Sequence, residues 1–465
     1  MQPGESLDLD VTDVAHGGVF VARHEGRVVF VEGAIPGERV RAELTDASKA
    51  SFWRADIVDV LDASPHRRPH VWAAADVSVA PADRPGGADF GHIDLAEQRV
   101  LKKRVLDDAL VRFGGIAEPV TTISPAGKPG EEAPGALGWR TRVSLHVDDE
   151  GRIGPFAARS HRVIETPDLP LATAEIEAVA RGLEGFGPGR VDLVQPAEGG
   201  VRVIVRPAAP ARTRPDGAQA TAEGAAGADT RAARSRGGRP GRRGPAVRTA
   251  RPPRAPEDPT AREVVVETVG DRRFVVDAGG FWQVHRLAAA TLTAAVRDAL
   301  ETAGGVDPAA HHLDLYGGVG LFAAAIAEAG GPGTRVTSVE SDARATEHAG
   351  ENLSEWVGAR AETARADRYL ATLAAQAGAA ERARLARGVV LLDPPRAGAG
   401  REVVDRIAEF DPASVVYVAC DPVALARDLG TFRAHGYEPL RIDAFDLFPH
   451  SHHVEAVAVL ARAAG

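Results

Sequence analysis

From about Leu287 onward, helical segments alternate with short apolar β-rich segments. This alternation restricts the fold more than any other feature of the sequence. "RLAAATLTAAVRDALETA", "GLFAAAIAEAG" and "ARATEHAGENLSEWV" read as helices, and "HHLDLYGG", "RVTSVESD", "GVVLLDPP" and "SVVYVACDP" read as strands. Strands separated by helices predict βαβ units and therefore a Rossmann-like, doubly wound parallel sheet. The final stretch, "LRIDAFDLFPHSHHVEAVAVLAR", reads as two strands about a tight connection, an antiparallel hairpin at the sheet's edge. Ligands of such sheets sit beyond the carboxyl ends of the strands, so the residues that follow each strand are the candidates for function.

A chain of 465 residues exceeds one ordinary core. Residues 1–63 read as five short strands with Gly-rich turns, a pattern that suits a small OB-like barrel. Residues 64–206 read as an α+β domain, with a helix around "LAEQRVLKKRVLDDALVRFGG" and strands at "WRTRVSLHVD" and "GRVDLVQPAEGGVRVIVRP". Residues 207–262 are rich in Ala, Gly, Pro and Arg without apolar period and are predicted to be disordered. Residues 263–465 form the predicted catalytic domain. The 44% hydrophobic and 26% charged content is that of a soluble globular protein. The start lacks a basic-then-apolar leader and no run of about 18 apolar residues occurs, so the sequence predicts a cytoplasmic protein without a membrane span. A single cysteine excludes an intramolecular disulfide and any site built from several thiolates. The formal charge of −10 does not announce a nucleic-acid binder, yet nine arginines and no acid lie between Arg231 and Arg254. Such an arm can track phosphates or serve as a linker.

After the first strand of the alternating region comes "DLYGGVGLF", where Gly317, Gly318 and Gly320 would let a ligand approach the backbone ahead of a helix. Glu340 ends the second strand, 26 residues after Asp314, and an acid there accepts hydrogen bonds from ribose hydroxyls. The pair points to a nucleoside cofactor; the alternative is a structural turn. The glycine spacing departs from that of dinucleotide folds. With a terminal hairpin it matches an S-adenosylmethionine-dependent methyltransferase better. Asp393 ends a third strand, either as a turn cap or as a site residue. Cys420 ends a fourth, either as a small buried residue or as a nucleophile. The cluster His450, His452 and His453 lacks further ligands, so no metal site is predicted.

Four motifs in order, "FWQVH" (Phe281–His285), "DLYGGVG", "DPPRAG" (Asp393–Gly398) and "ACDP" with "HVE" downstream, resemble those of the RNA uracil-5-methyltransferases. The stretch "GRVVFVEGAIPGERVRAEL" resembles the TRAM RNA-binding module. The resemblance implies a class I methyltransferase fold, S-adenosylmethionine as cofactor, and tRNA or rRNA as partner of a monomeric enzyme. It also implies Cys420 as nucleophile, Glu455 as base, and Gln283, Tyr316, Gly318, Gly320, Glu340, Asp367 and Asp393 about the cofactor. The chemistry asks for the same residue types. C5 of uracil is too weak a nucleophile unaided; a thiolate added to C6 gives it enolate character, and a base must then remove the C5 proton.

The chain also departs from the family. Many relatives carry four cysteines for an iron–sulfur cluster, where this chain has Val71, Pro85, Ala88 and Leu169, so no cluster is expected. Gly317, Ala419, Asp421 and His285 replace common family residues, and an ionised Asp421 beside the thiol is expected to raise its pKa. Two other readings are a non-catalytic RNA-binding or assembly factor and a methyltransferase with another acceptor, such as cytosine or a small molecule.

Overall fold

The computed structural model describes residues 1–119, 121–208 and 258–462, so most of the expected disordered insert, including its arginine run, lies outside the described residues. Strands β1 (Ser6–Ala15), β2 (Val19–His24), β3 (Arg27–Glu32), β4 (Arg39–Asp46) and β5 (Phe52–Asp62) close into a barrel in the order β1-β2-β3-β5-β4. Alternation of buried and exposed residues, in β4 and in β1 as far as Val11, makes closure favourable: Leu7, Leu9, Val11, Val40, Ala42 and Leu44 all belong to one core. Glu38 is buried beside it and is fully engaged, by both Arg67 nitrogens at 2.6 and 2.7 Å and by the amides of Ile35 and Ser64.

Helix α1 (Leu95–Gly114) starts at Asp94, whose carboxylate accepts from Glu97 N, and stops at Gly115 in the left-handed conformation. Strand β6 (Thr121–Pro125) follows. Strands β7 (Arg142–Val147), β8 (Ile153–Gly154), β9 (Gly189–Val194) and β10 (Arg202–Pro207) form a second sheet in the order β10-β9-β7-β8, with α2 (Ala174–Arg181) between β8 and β9 in sequence. At the expected end of the insert, Pro259–Arg262 forms a 3-10 turn capped by Asp258, whose carboxylate also accepts from Val205 N. A hairpin of β11 (Val264–Val269) and β12 (Arg272–Asp277) precedes α3 (Ala288–Thr302).

The alternating region contributes β13 (His311–Leu315), α4 (Leu321–Gly330), β14 (Arg335–Glu340), α5 (Ala343–Asn352), β15 (Ala359–Thr363), α6 (Ala366–Gln376) and α7 (Ala379–Leu385). It continues with β16 (Val389–Leu392), α8 (Arg401–Ala408), β17 (Ser414–Ala419), α9 (Pro422–Ala434), β18 (Tyr437–Asp446) and β19 (Glu455–Arg462). The sheet runs β15-β14-β13-β16-β17-β19-β18-β6, parallel from β15 to β17 and antiparallel at β19. The doubly wound sheet and the antiparallel terminal pair are those expected.

Several details differ from the sequence expectation, among them β15 and helices α6 to α8, which it did not include. The strands of the terminal pair are joined by eight residues, Leu447–Val454, rather than by a tight turn. The helix expected to run to Val357 stops at Asn352, because the Asn352 amide bonds the backbone of Val275 and Val319. Strand β6, from the segment 64–206, pairs in parallel with β18 and so extends the large sheet. Around the missing cluster cysteines, Ala88 and Leu169 pack with Trp72, Trp139 and Leu171 in an apolar cluster. No helix among the described residues is long and apolar enough to cross a membrane.

Candidate active site

The chemistry-bearing residues follow from strand register. β17 pairs with β19 so that Ala419 faces Ala456, which sets Cys420 and Glu455 at the same end of one antiparallel ladder. β16 lies on the other side of β17 and ends at Leu392, so Asp393 joins them from the neighbouring strand. Tyr316 follows β13, next in the sheet, and Glu340 closes β14.

These residues line one cleft of about 1330 Å³. Gln283, Gly318 and Asp367 line it as well, so every predicted site residue except Gly320 is brought together. Gly320 instead caps α4, where an added Cβ would press on Leu353 at 3.2 Å. Sequence reasoning missed Arg140, Phe448 and the part played by Arg396, all of which line the cleft. Arg396 was legible in "DPPRAG", whereas nothing in "GWRTR" marks Arg140.

The glycine turn is shaped by contact. A Cβ on Gly317 would lie 2.0 Å from Ser338 Oγ, so a side chain there requires the serine hydroxyl to move. Gly318 has φ +53 and nothing within 4 Å of an added Cβ, leaving its backbone open to a ligand. Glu340 turns one oxygen to the amide of Asp342 at 2.8 Å and the other toward Gly318 N at a long 3.3 Å. That second oxygen retains capacity for a ribose hydroxyl. Asp367, whose carboxyl Arg365 holds below the usual range, also lines the cleft, so the cleft offers carboxylate acceptors to a nucleoside.

The carboxyls are strongly perturbed. Burial, then the neighbouring Asp314, pushes Asp393 up to about 7. Burial likewise raises Asp314 to about 7, and its Oδ1 has no hydrogen-bond partner. Glu455 is only 5% exposed; burial and the charge of Asp393 hold its carboxyl well above the ordinary range. The Cys420 thiol is pushed up to about 12 by burial, then by Glu455 and Asp393, with Arg396 opposing.

Asp421 was expected to be the group that disfavours the thiolate, and the structure corrects this. Its Oδ1 accepts from the amides of Val423 and Ala424 as the N-cap of α9, and its Oδ2 lies 2.9 Å from His16 Nε2 in the barrel. Burial pushes the Asp421 carboxyl up, but His16 and the helix amides outweigh it and hold it below the usual range. Its carboxylate is turned to the α9 amides and His16, and Glu455 and Asp393 are the carboxyls that weigh most on the sulfur.

The three histidines take separate partners. His450 bonds Gln98 and the Gly135 carbonyl, His452 bonds Asp89, and His453 lies 3.3 Å from Arg396.

A family model described as tRNA (Uracil-5-)-methyltransferase matches residues 376–463, and one described as TRAM domain matches residues 1–58. An uncharacterized RNA methyltransferase of Streptomyces avermitilis is 36% identical over 472 residues, covering 99% of each chain. A 23S rRNA (uracil(1939)-C(5))-methyltransferase, RlmD, of Shewanella denitrificans is 28% identical, covering 98% of this chain and 96% of its own. Among solved structures, the Pyrococcus abyssi tRNA (uracil-54, C5)-methyltransferase in complex with S-adenosyl-L-homocysteine superposes with a TM-score of 0.62 at 19% identity, covering 97% of this chain and 99% of the other.

Proposed function

Because the chain belongs to the S-adenosylmethionine-dependent RNA uracil-5-methyltransferase family, we propose that it methylates C5 of a uridine in tRNA or rRNA through a covalent bond from Cys420 to C6. The observation that carries this reading is the convergence of Cys420 and Glu455 at the end of one strand ladder, in the cleft that also holds Glu340, Gly318 and Asp393.

The resting thiol is protonated, since its pKa lies near 12. Each carboxyl beside it that takes a proton removes a like charge, so thiolate and neutral carboxyl favour one another. Arg396 supplies the nearby positive charge that favours the thiolate. With the target base flipped into the cleft, Cys420 Sγ bonds C6, the thiol proton leaves to solvent, and the C5=C6 electron pair moves into an enolate over C5 and O4. S-adenosylmethionine, when bound, supplies a methyl group on a positive sulfonium to that carbon. The sulfur in the adduct is uncharged, which lets Glu455 ionise. Its raised pKa makes it a stronger base than an ordinary carboxylate. Glu455 accepts the C5 proton, the C5=C6 bond re-forms, and Cys420 leaves as thiolate.

The test is methyl transfer from labelled S-adenosylmethionine to total RNA of a strain lacking the gene, followed by mass spectrometry of the nucleosides. Label in 5-methyluridine is the expected result. Label only in another nucleoside, or in none, overturns the reading.

A further inference from the structure

A second cavity, of about 100 Å³, shares Cys420 and Arg396 with the cleft but is walled by the barrel turn Ala15–Gly18. At about 30 Å³ per water it has room for about three waters, the scale of a phosphate group rather than a base. Its charged lining is unevenly committed. Lys102 is held by Asp446 at 2.5 Å, and Asp421 is engaged by α9 and His16. Arg396 forms no ion pair with a carboxylate among the described residues; its hydrogen-bond neighbour is the His453 ring. Arg396 is therefore the cation that faces this space without a carboxylate partner among the described residues, with the neutral His453 ring beside it and His16 paired to Asp421 on the barrel side.

The barrel turn is held in place. An added Cβ on Gly18 would lie 2.8 Å from the His452 ring, so glycine permits this close approach, and Asp89 fixes that ring at 2.6 Å. A uridine flipped toward Cys420 must bring its sugar–phosphate chain past the mouth of the cleft. Phosphates are the RNA groups that basic side chains hold to fix register.

We propose that this cavity receives a backbone phosphate adjoining the flipped uridine, so that the barrel turn with His16 is a wall of the substrate site rather than a remote RNA tether. The inference rests on the methylation reading for its substrate but not for its anion.

The test uses the full-length chain with Arg396→Gln and His16→Ala, on RNA from a strain lacking the gene, at several salt concentrations. Work at pH 6 keeps His16 charged, because its hydrogen bond to Asp421 raises its pKa. His16→Ala, outside the main cleft, is expected to bind S-adenosylmethionine as the wild type does. Each variant should lower the slope of log affinity against log salt by about 0.7–0.9, the loss of one phosphate contact. KM for RNA should rise about tenfold for each. Wild-type slope and KM in both variants would overturn the proposal. A loss confined to Arg396→Gln would also overturn it, by assigning the phosphate to the main cleft. If the wild type makes no 5-methyluridine while both slopes still fall, the methylation reading fails and the phosphate site stands.

Discussion

Two buried glutamates, one in the barrel and one in the large sheet, show how differently the two regions use a carboxylate. Glu38, 1% exposed, accepts bonds from Arg67 and from two backbone amides. Glu455, 5% exposed, makes no side-chain hydrogen bond to any described residue and lines a cleft with Cys420. Buried polar groups are ordinarily satisfied. A satisfied one holds a fold together, whereas an unsatisfied one facing a cavity keeps its chemistry for a ligand.

Several measurements break or sharpen this contrast. The largest effect is expected from Glu455→Gln, which should lower turnover about 10²–10⁴-fold, as loss of a general base does, while the RNA adduct still forms and accumulates on gels. The same change replaces a carboxyl that opposes the thiolate when ionised by a neutral amide, so at high pH alkylation of the thiol by iodoacetamide should become faster than in the wild type. Next comes Glu38→Ala. It leaves Arg67 without its buried partner and should cost about 3–5 kcal/mol in urea unfolding of the barrel. S-adenosylmethionine binding should be unchanged at temperatures where the variant is folded.

Asp393→Asn is expected to act in the opposite direction on stability. The native pKa of Asp393 lies near 7, above the ordinary 3.8, so the folded state binds the extra proton and loses stability as pH rises from about 4 to 7. The variant should therefore melt a few degrees higher than wild type at pH 8 and no higher at pH 4. The smallest effect is expected from Asp421→Asn. Asparagine still caps α9, and Asp421 is not among the leading groups acting on the thiol, so the pH profile of alkylation should shift by well under a unit. A shift of that profile downward by a unit would restore Asp421 as the group that restrains the thiol.

The doubly wound sheet was legible because β16 and β17 are buried along their whole length and read as near-continuous apolar runs, with β13 recognised by its place before the glycine turn. β15 was not. As an edge strand of sequence ARAET with mostly exposed residues, it carries no apolar signal. β6 escaped for a related reason: its place beside β18 is set by tertiary packing between segments over 300 residues apart. In the site, residues at strand ends were readable because parallel sheets put ligands there. The direction of a side chain was not, so Asp421 was taken as the thiol's neighbour although it turns to His16, 405 residues away. Arg140 gave no signal, since an arginine in a strand-like stretch is ordinarily exposed.

The central claim is that Cys420 forms a covalent bond to the target base. RNA substituted with 5-fluorouridine tests it most directly, because fluorine at C5 cannot be removed as a proton and the adduct is trapped. With S-adenosylmethionine present, one RNA-linked species per chain is predicted. Peptide mass spectrometry should place the link at Cys420, and Cys420→Ala should abolish it. Protein that binds both S-adenosylmethionine and this RNA yet forms no adduct, or forms one equally with Cys420→Ala, would contradict the account.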